Sequence, residues 1–167
     1  FVATLAYYHK TGIVQKMIHG LKYKGHQAVG TFIGDWFAED LKKLAIIETI
    51  DKIIPVPLHP KKLKQRGYNQ VTNFGISLSE NLQIQYDATL LKRNIYSKTQ
   101  TKKDLLKRTE VNNQVIFEAV YTEKDHGKHF LLIDDVITTG STLEACSRAL
   151  LKIPGAKISI VCMAMSH

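Results

Sequence analysis

The chain has 167 residues, enough for one domain with a core of its own, and its 44% hydrophobic and 23% charged content is ordinary for a soluble globular protein. No apolar run reaches the roughly 18 residues of a membrane-spanning helix, and no basic-then-apolar signal peptide opens the sequence, so no membrane span is expected in it. The net charge of +8 is local: residues 59–108 hold 11 Lys/Arg against 3 Asp/Glu, and the remainder is neutral, which favours an anion site over a generally basic surface.

In chain order, Phe1–Tyr8 alternates weakly and reads as a strand. Ile13, Met17, Ile18 and Leu21 follow helical spacing until Gly25. A second helix is expected over Gln27–Leu44, with Val29, Phe32, Ile33, Trp36, Phe37, Leu41 and Leu44 on one wide stripe and Trp36 and Phe37 in the core. These two helices precede the sheet proper and suit a cap over its edge. Lys52–Val56 is a short apolar strand, and Pro55, Pro57 and Pro60 stiffen its exit. Four cations at 61–66 then stand in what reads as a basic loop at the carboxyl end of that strand. Helical spacing resumes at Val71, Phe74, Leu78 and Leu82, with Asn69 as the expected cap.

Ala88–Leu91 reads as the next strand, ending in Lys92-Arg93. The polar loop 94–103 leads to a short helix, Asp104–Thr109, with Thr101-x-x-Asp104 as a capping box and Lys102, Lys103, Lys107 and Arg108 as a second cationic patch. Val115–Val120 reads as a strand and Glu123–Lys128 as a charged turn. Pro154-Gly155 ends the helix that follows the central motif, and Lys157–Met165 is a final, mostly buried strand. Cys146 and Cys162 lie in apolar runs without C-x-x-C spacing and read as small buried residues, consistent with a reducing, cytoplasmic setting. The first residue is Phe1 rather than Met, so a longer parent chain is expected.

The most informative stretch is HFLLIDDVITTGST, His129–Thr142. Phe130–Ile133 suits a strand buried on both faces of a parallel sheet. Val136-Ile137 reads as a hinge, Thr138–Thr142 as a turn, and Leu143–Lys152 as a helix capped by Ser141 or Thr142. Such a turn offers backbone N–H groups and a positive dipole end to an anion. Asp134 and Asp135 would repel a phosphate directly, so they suit a different role, holding sugar hydroxyls or a hydrated Mg²⁺. A G-x-x-x-x-G-K-[ST] loop is absent, so this is not a P-loop nucleotide binder.

LLIDDVITTGST (131–142) resembles the phosphoribosyl pyrophosphate (PRPP) signature of the type I phosphoribosyltransferases. The resemblance implies an α/β chain with a mainly parallel sheet flanked by helices and a small N-terminal hood, here residues 1–45 on a 46–167 core, in one domain. By the same resemblance, Asp134 and Asp135 meet the ribose hydroxyls and Mg²⁺ through water, and Thr138, Thr139, Gly140, Ser141 and Thr142 hold the 5′-phosphate. The string IIPVPLHPKKLKQRGYNQ (53–70) is similar to a narrower block, P-V-P-L-x₇-R-G-[FY]-N-Q, of the ComF/GntX family. Arg93, Gln100-Thr101, Arg108, Asn112 and Phe117 resemble a further pattern of that family.

That resemblance implies pyrophosphate contacts at Val56, Pro57 and Leu58, with Lys64 or Arg66 nearby, and catalytic roles for Lys103 and Arg108 on a mobile loop beside the acid pair. Members of the family commonly carry a cysteine-rich zinc module ahead of the region resembling residues 1–25; this chain has no such cysteines, so no zinc is expected. The implied reaction is displacement at the ribose C1 of PRPP with loss of pyrophosphate. The acceptor is not readable, although Tyr7, Tyr8 and Tyr23 are candidates to stack on a base. The implied partners are PRPP or ribose 5-phosphate, with single-stranded DNA or the competence machinery in view, and an oligomer is compatible with the reading. A non-catalytic PRPP sensor or DNA-binding module is the alternative, and the sequence does not separate the two.

Overall fold

A computed structural model describes residues 1–8, 12–94 and 116–166. It opens with strand β1 (Val2–Tyr8), helices α1 (Ile13–Tyr23) and α2 (Ala28–Leu41), and strand β2 (Lys52–Pro55). Helices α3 (Pro60–Arg66) and α4 (Thr72–Leu82) lead to strands β3 (Gln85–Tyr86) and β4 (Leu91–Arg93). Strands β5 (Phe117–Ala119) and β6 (His129–Ile137), helix α5 (Ser141–Leu150) and strand β7 (Lys157–Ser166) complete the described elements.

β6 lies at the centre of a five-stranded parallel sheet of order β1-β7-β6-β2-β3. Its run Phe130–Ile133 is wholly buried, as a strand covered on both faces must be. Because side chains alternate along a strand, β6 feeds two cores. Leu131 and Ile133 pack with Phe37 of α2 and Phe74 and Leu78 of α4. Phe130 and Leu132 pack with Cys146 and Leu150 of α5 and with Leu91 and Phe117 of the antiparallel β4–β5 ribbon. Each fully buried side chain of this size contributes about 1.5–3 kcal/mol.

The chain leaves β2 through α3 and α4 toward the β3 edge, and leaves β6 through α5 toward β7. α4 and α5 serve opposite faces of the sheet. The connections therefore diverge between two neighbouring strands, and the carboxyl ends of β2 and β6 form a crevice of the kind in which open α/β sheets bind ligands. At the other end of the strands, Lys52 pairs with Asp125 at 2.8 Å and Asp87 at 3.1 Å, and Lys128 pairs with Asp51 at 2.7 Å. Burial opposes the charge of Asp125, but hydrogen bonds from Lys52 and Thr122 outweigh it and hold the carboxyl below its usual value. Asp51 and Asp125, which precede β2 and β6, are thus employed at the amino ends of these strands.

Within residues 1–45, β1 pairs with β7 at the sheet edge, and α1 and α2 contribute Leu21, Ile33 and Leu41 to a core. Several expectations are corrected. Trp36 is 58% exposed beside the equally exposed Phe32, because the buried face of α2 runs through Ile33, Phe37, Ala38 and Leu41 one residue round the helix. α2 ends at Leu41, and a short 3₁₀ turn, Ala45–Thr49, follows. The basic stretch after β2 is helix α3 rather than a loop: His59 Nδ1 accepts from the Lys61 N–H, Pro60 opens the helix, and Gly67 closes it.

Val136-Ile137 is strand rather than hinge, held in register against Ala164 and Met165. The strand expected at Ala88–Leu91 starts at Leu91 and pairs with β5 outside the main sheet, while β3 had no signal beyond two residues. The buried pair Cys146 and Cys162 is as expected. The helix Asp104–Thr109 and its capping box lie outside the described residues.

α2 and α4 meet through small residues. A Cβ added at Gly34 would lie 2.5 Å from Ser77 Oγ and 3.0 Å from the Phe74 carbonyl oxygen. Gly34→Val is expected to lower the unfolding free energy by about 1–3 kcal/mol through overpacking, measured by urea titration. An unchanged midpoint would show that the two helices can separate at no cost.

Candidate functional site

Asp134 and Asp135 end the buried part of β6, and strand alternation sends them to opposite faces. Asp135 continues the Leu131–Ile133 face and is only 5% exposed. Lys22 Nζ, from the last turn of α1, lies 3.0 Å from its Oδ1, and Gln70 Nε2 donates to its Oδ2 at 2.8 Å. Gln70 in turn accepts from Arg66 Nη1, and the Arg66 guanidinium lies 5.6 Å from the centre of the Tyr23 ring. The Tyr68 hydroxyl donates to the Leu21 carbonyl and ties the same turn of α1 to the segment after α3.

Asp134 faces the α5 side, and its Oδ1 accepts from the Asp135 N–H at 2.8 Å. Burial, and next the charge of Asp135, push its carboxyl up to about 7, while that N–H and Lys22 pull the other way. Its charge also adds to the burial that raises the thiols of Cys146 and Cys162. The pair therefore carries one negative charge that Lys22 compensates and a second that is held reluctantly. Sugar hydroxyls or a hydrated cation at this end would relieve the second charge.

Beyond Asp134, Thr138–Thr142 and Leu143 line a small cavity of about 40 Å³. Gly140 turns the chain with φ 76° in the left-handed region, and α5 starts at Ser141. The expected capping by Ser141 or Thr142 does not occur: Gly140 is the N-cap, and no side chain caps the helix. Thr139 Oγ1 instead accepts from the Ser141 N–H at 3.4 Å and donates to Ser141 Oγ at 3.1 Å. Apart from the Ser141 N–H, the first-turn N–H groups and the positive end of α5 thus adjoin this cavity without a side-chain partner, the arrangement that takes up phosphate.

The segment after β2 lies beside the acid pair, since the Val56 N–H donates to the Ile133 carbonyl at 2.9 Å. Asn69 is not the N-cap of α4, a place taken by Val71. Its Nδ2 donates to the Val56 carbonyl at 3.0 Å, and its Oδ1 accepts from the Val71 N–H, so it fastens the strand exit to the following helix. With the Val56 N–H engaged and Pro57 lacking one, Leu58 alone of these three can offer a backbone donor to an anion. Of the two cations expected here, Arg66 reaches Asp135 through Gln70, whereas Lys64 is exposed on α3. Lys103 and Arg108 lie outside the described residues. Lys22 and Gln70 were missed as site residues. Gln70 closes the R-G-Y-N-Q string, but nothing in the spacing links Lys22 to Asp135.

A family profile described as "Phosphoribosyl transferase domain" matches residues 91–167. The DNA utilization protein YhgH of Escherichia coli O157:H7 is 28% identical over 159 residues, covering 88% of this chain and 65% of the relative. Competence protein F of Haemophilus influenzae is 32% identical over 121 residues, covering 72% of this chain and 53% of the relative. The chain thus spans between about half and two thirds of these relatives' length. Among solved structures, adenine phosphoribosyl transferase from Trypanosoma brucei, in complex with AMP, pyrophosphate and ribose-5-phosphate, superposes with a TM-score of 0.51 at 13% identity over 95% of this chain and 82% of its own, a likeness of fold.

Two measurements check the site's electrostatics. Lys22→Met should cost about 1–3 kcal/mol in urea unfolding, because it strands a buried carboxylate, and adding Asp135→Asn should recover most of the loss. Equal losses in the single and double variants would refute the pairing. A carboxyl raised from 3.8 to about 7 binds its proton more tightly in the folded chain, so its contribution to stability is present at acid pH and is lost as pH rises toward 7. Asp134→Asn should remove that decline, read as the difference between the two chains' unfolding midpoints across this window. Parallel pH profiles would contradict the assignment.

Proposed function

This chain belongs to the ComF-like branch of the type I phosphoribosyltransferase family, and from that premise we propose that it binds PRPP with Mg²⁺ and transfers the phosphoribosyl group to an acceptor with release of pyrophosphate. The observation that supports this most is the conjunction, at one topological crevice, of the acid pair on β6, the N-terminus of α5 free of any side-chain cap, and the exit of β2. In this reading the N–H groups of Thr138–Thr142 take the 5′-phosphate, Asp134 and Asp135 accept hydrogen bonds from the ribose hydroxyls, and the Leu58 N–H, with Lys64 of α3, meets the pyrophosphate. In the reaction the acceptor's lone pair forms a bond to C1. The C1–O bond to pyrophosphate breaks, its electron pair leaves with the pyrophosphate, and the acceptor's proton passes to solvent.

The donor set suits Mg²⁺. Asp134, whose carboxyl is held up to about 7 by burial and by its neighbour's charge, and Asp135 would hold such an ion through water. When bound, the ion supplies charge neutralisation on the departing pyrophosphate. The chain's own part is to hold the ribose at the carboxyl end of β6 and to orient C1, for which Lys22 and Gln70 hold Asp135 in one rotamer.

The relatives named DNA utilization protein and competence proteins link this chain to competence, and we place the transfer in that setting. Among the described residues no helix is long and apolar enough to cross a membrane. Calorimetric titration with PRPP should show binding that depends on Mg²⁺, and the double variant Asp134→Asn/Asp135→Asn should abolish it while the circular dichroism spectrum is retained. Unchanged affinity in that variant would refute the acid pair's role. Binding without pyrophosphate release against any acceptor would identify a PRPP sensor.

A further inference from the structure

A concavity beside the acid pair has no part in the binding of PRPP as described. It lies between the last turn of α1 and helix α3, has a volume of about 350 Å³, and is lined by Lys22, Tyr23, Lys62, Gln65, Arg66 and Tyr68 among others. This size is that of a small-molecule pocket. Three of its lining residues are cations and none is acidic. Among the described residues no carboxylate pairs with Lys62 or Arg66. The charge of Lys22 is shared with Asp135, so the concavity as a whole keeps a positive excess, which low-dielectric walls focus.

The walls also carry two aromatic rings. Tyr23 is 69% exposed, unusual for a ring of that size, and its position is fixed by Arg66 and by His19, whose ring centre is 4.8 Å away. The Tyr68 hydroxyl is engaged with the Leu21 carbonyl, which leaves its ring as wall. The Arg66 guanidinium is a planar fork already oriented by Gln70, so it can meet a carboxylate at little entropic cost. Lys22 lines the concavity and contacts Asp135 at 3.0 Å, so a ligand here adjoins the acid pair.

We propose that this concavity receives the acceptor and that the acceptor is a planar ring bearing a carboxylate. Lys62 and Arg66 hold the carboxylate, and Tyr23 and Tyr68 flank the ring. The inference rests on the phosphoribosyl-transfer reading for the word acceptor; the recognition of a planar anion rests on the cavity alone. Single-stranded nucleic acid fits less well, because its binding calls for a groove with successive stacking platforms, whereas two rings in one concavity of this size hold one ring.

The test is chemical-shift mapping of the whole chain titrated with benzoate and nicotinate, and with nicotinamide as the neutral isostere. A (dT)₁₂ oligonucleotide and ribose 5-phosphate are titrated separately. Both carboxylates should move resonances in 22–25 and 62–68, with nicotinamide about tenfold weaker. Lys62→Met and Tyr23→Ala should each weaken nicotinate several-fold while leaving the ribose 5-phosphate shifts at 138–142 unchanged. Equal binding of nicotinamide, or carboxylate shifts confined to 138–142, overturns the inference. So does an oligonucleotide that fills the concavity when the carboxylates do not. Ribose 5-phosphate binding without carboxylate binding overturns the inference and leaves the PRPP reading standing. Carboxylate binding without ribose 5-phosphate binding removes the acceptor role and, with it, the PRPP reading.

Discussion

Two carboxylates on neighbouring residues at the end of a buried strand impose the constraint around which this site is built. Burial and mutual repulsion both disfavour a second negative charge, so one of the pair must be compensated and the other left available. Asp135 is compensated by Lys22 and Gln70, which reach it from two separate segments. Asp134, on the other face, is held up to about 7, so its charge is favoured chiefly when something at the carboxyl end of β6 takes it up. The asymmetry follows from strand geometry, since adjacent side chains cannot share one face.

The same pairing couples distant parts of the chain. Lys22 belongs to α1, Gln70 to the segment before α4, and Asp135 to β6, so one carboxylate joins the first helix, the β2 crossover and the central strand. Arg66 extends the chain of contacts to Tyr23, and Tyr68 closes it back onto Leu21. The basic helix α3 is thereby pinned against α1, with Lys62 and Arg66 lining a common concavity.

Much of the architecture was legible in the sequence because local signals agreed with the fold. The unbroken apolar run at Phe130–Ile133 could only be a strand covered on both faces, and the Thr/Ser/Gly turn ahead of a helix could only expose N–H groups. The errors came where local signals were ambiguous. A basic run flanked by prolines reads as loop, yet a His cap, a first-turn proline and a terminal glycine make it helix α3. The apolar stripe of α2 was wider than its buried face, so Trp36 was assigned to a core that closes one residue away. β3 was too short to carry a period, and the strand at Leu91 followed its antiparallel partner rather than its own apolar pattern.

The order of residues by itself determined the chemistry at the centre: an acid pair, a phosphate-type turn and a locally basic segment, each encoded within a dozen or so consecutive residues and therefore readable without a fold. Only the tertiary structure decided which acid is compensated and by what, because Lys22, Gln70 and Asp135 meet through three separate segments brought together by the sheet order β1-β7-β6-β2-β3. It decided equally that α4 and α5 lie on opposite faces, which opens the crevice between β2 and β6, and that α1 and α3 enclose a cationic concavity beside it. Contacts of that kind depend on where remote segments cross, and no periodicity or spacing along a chain records a crossing.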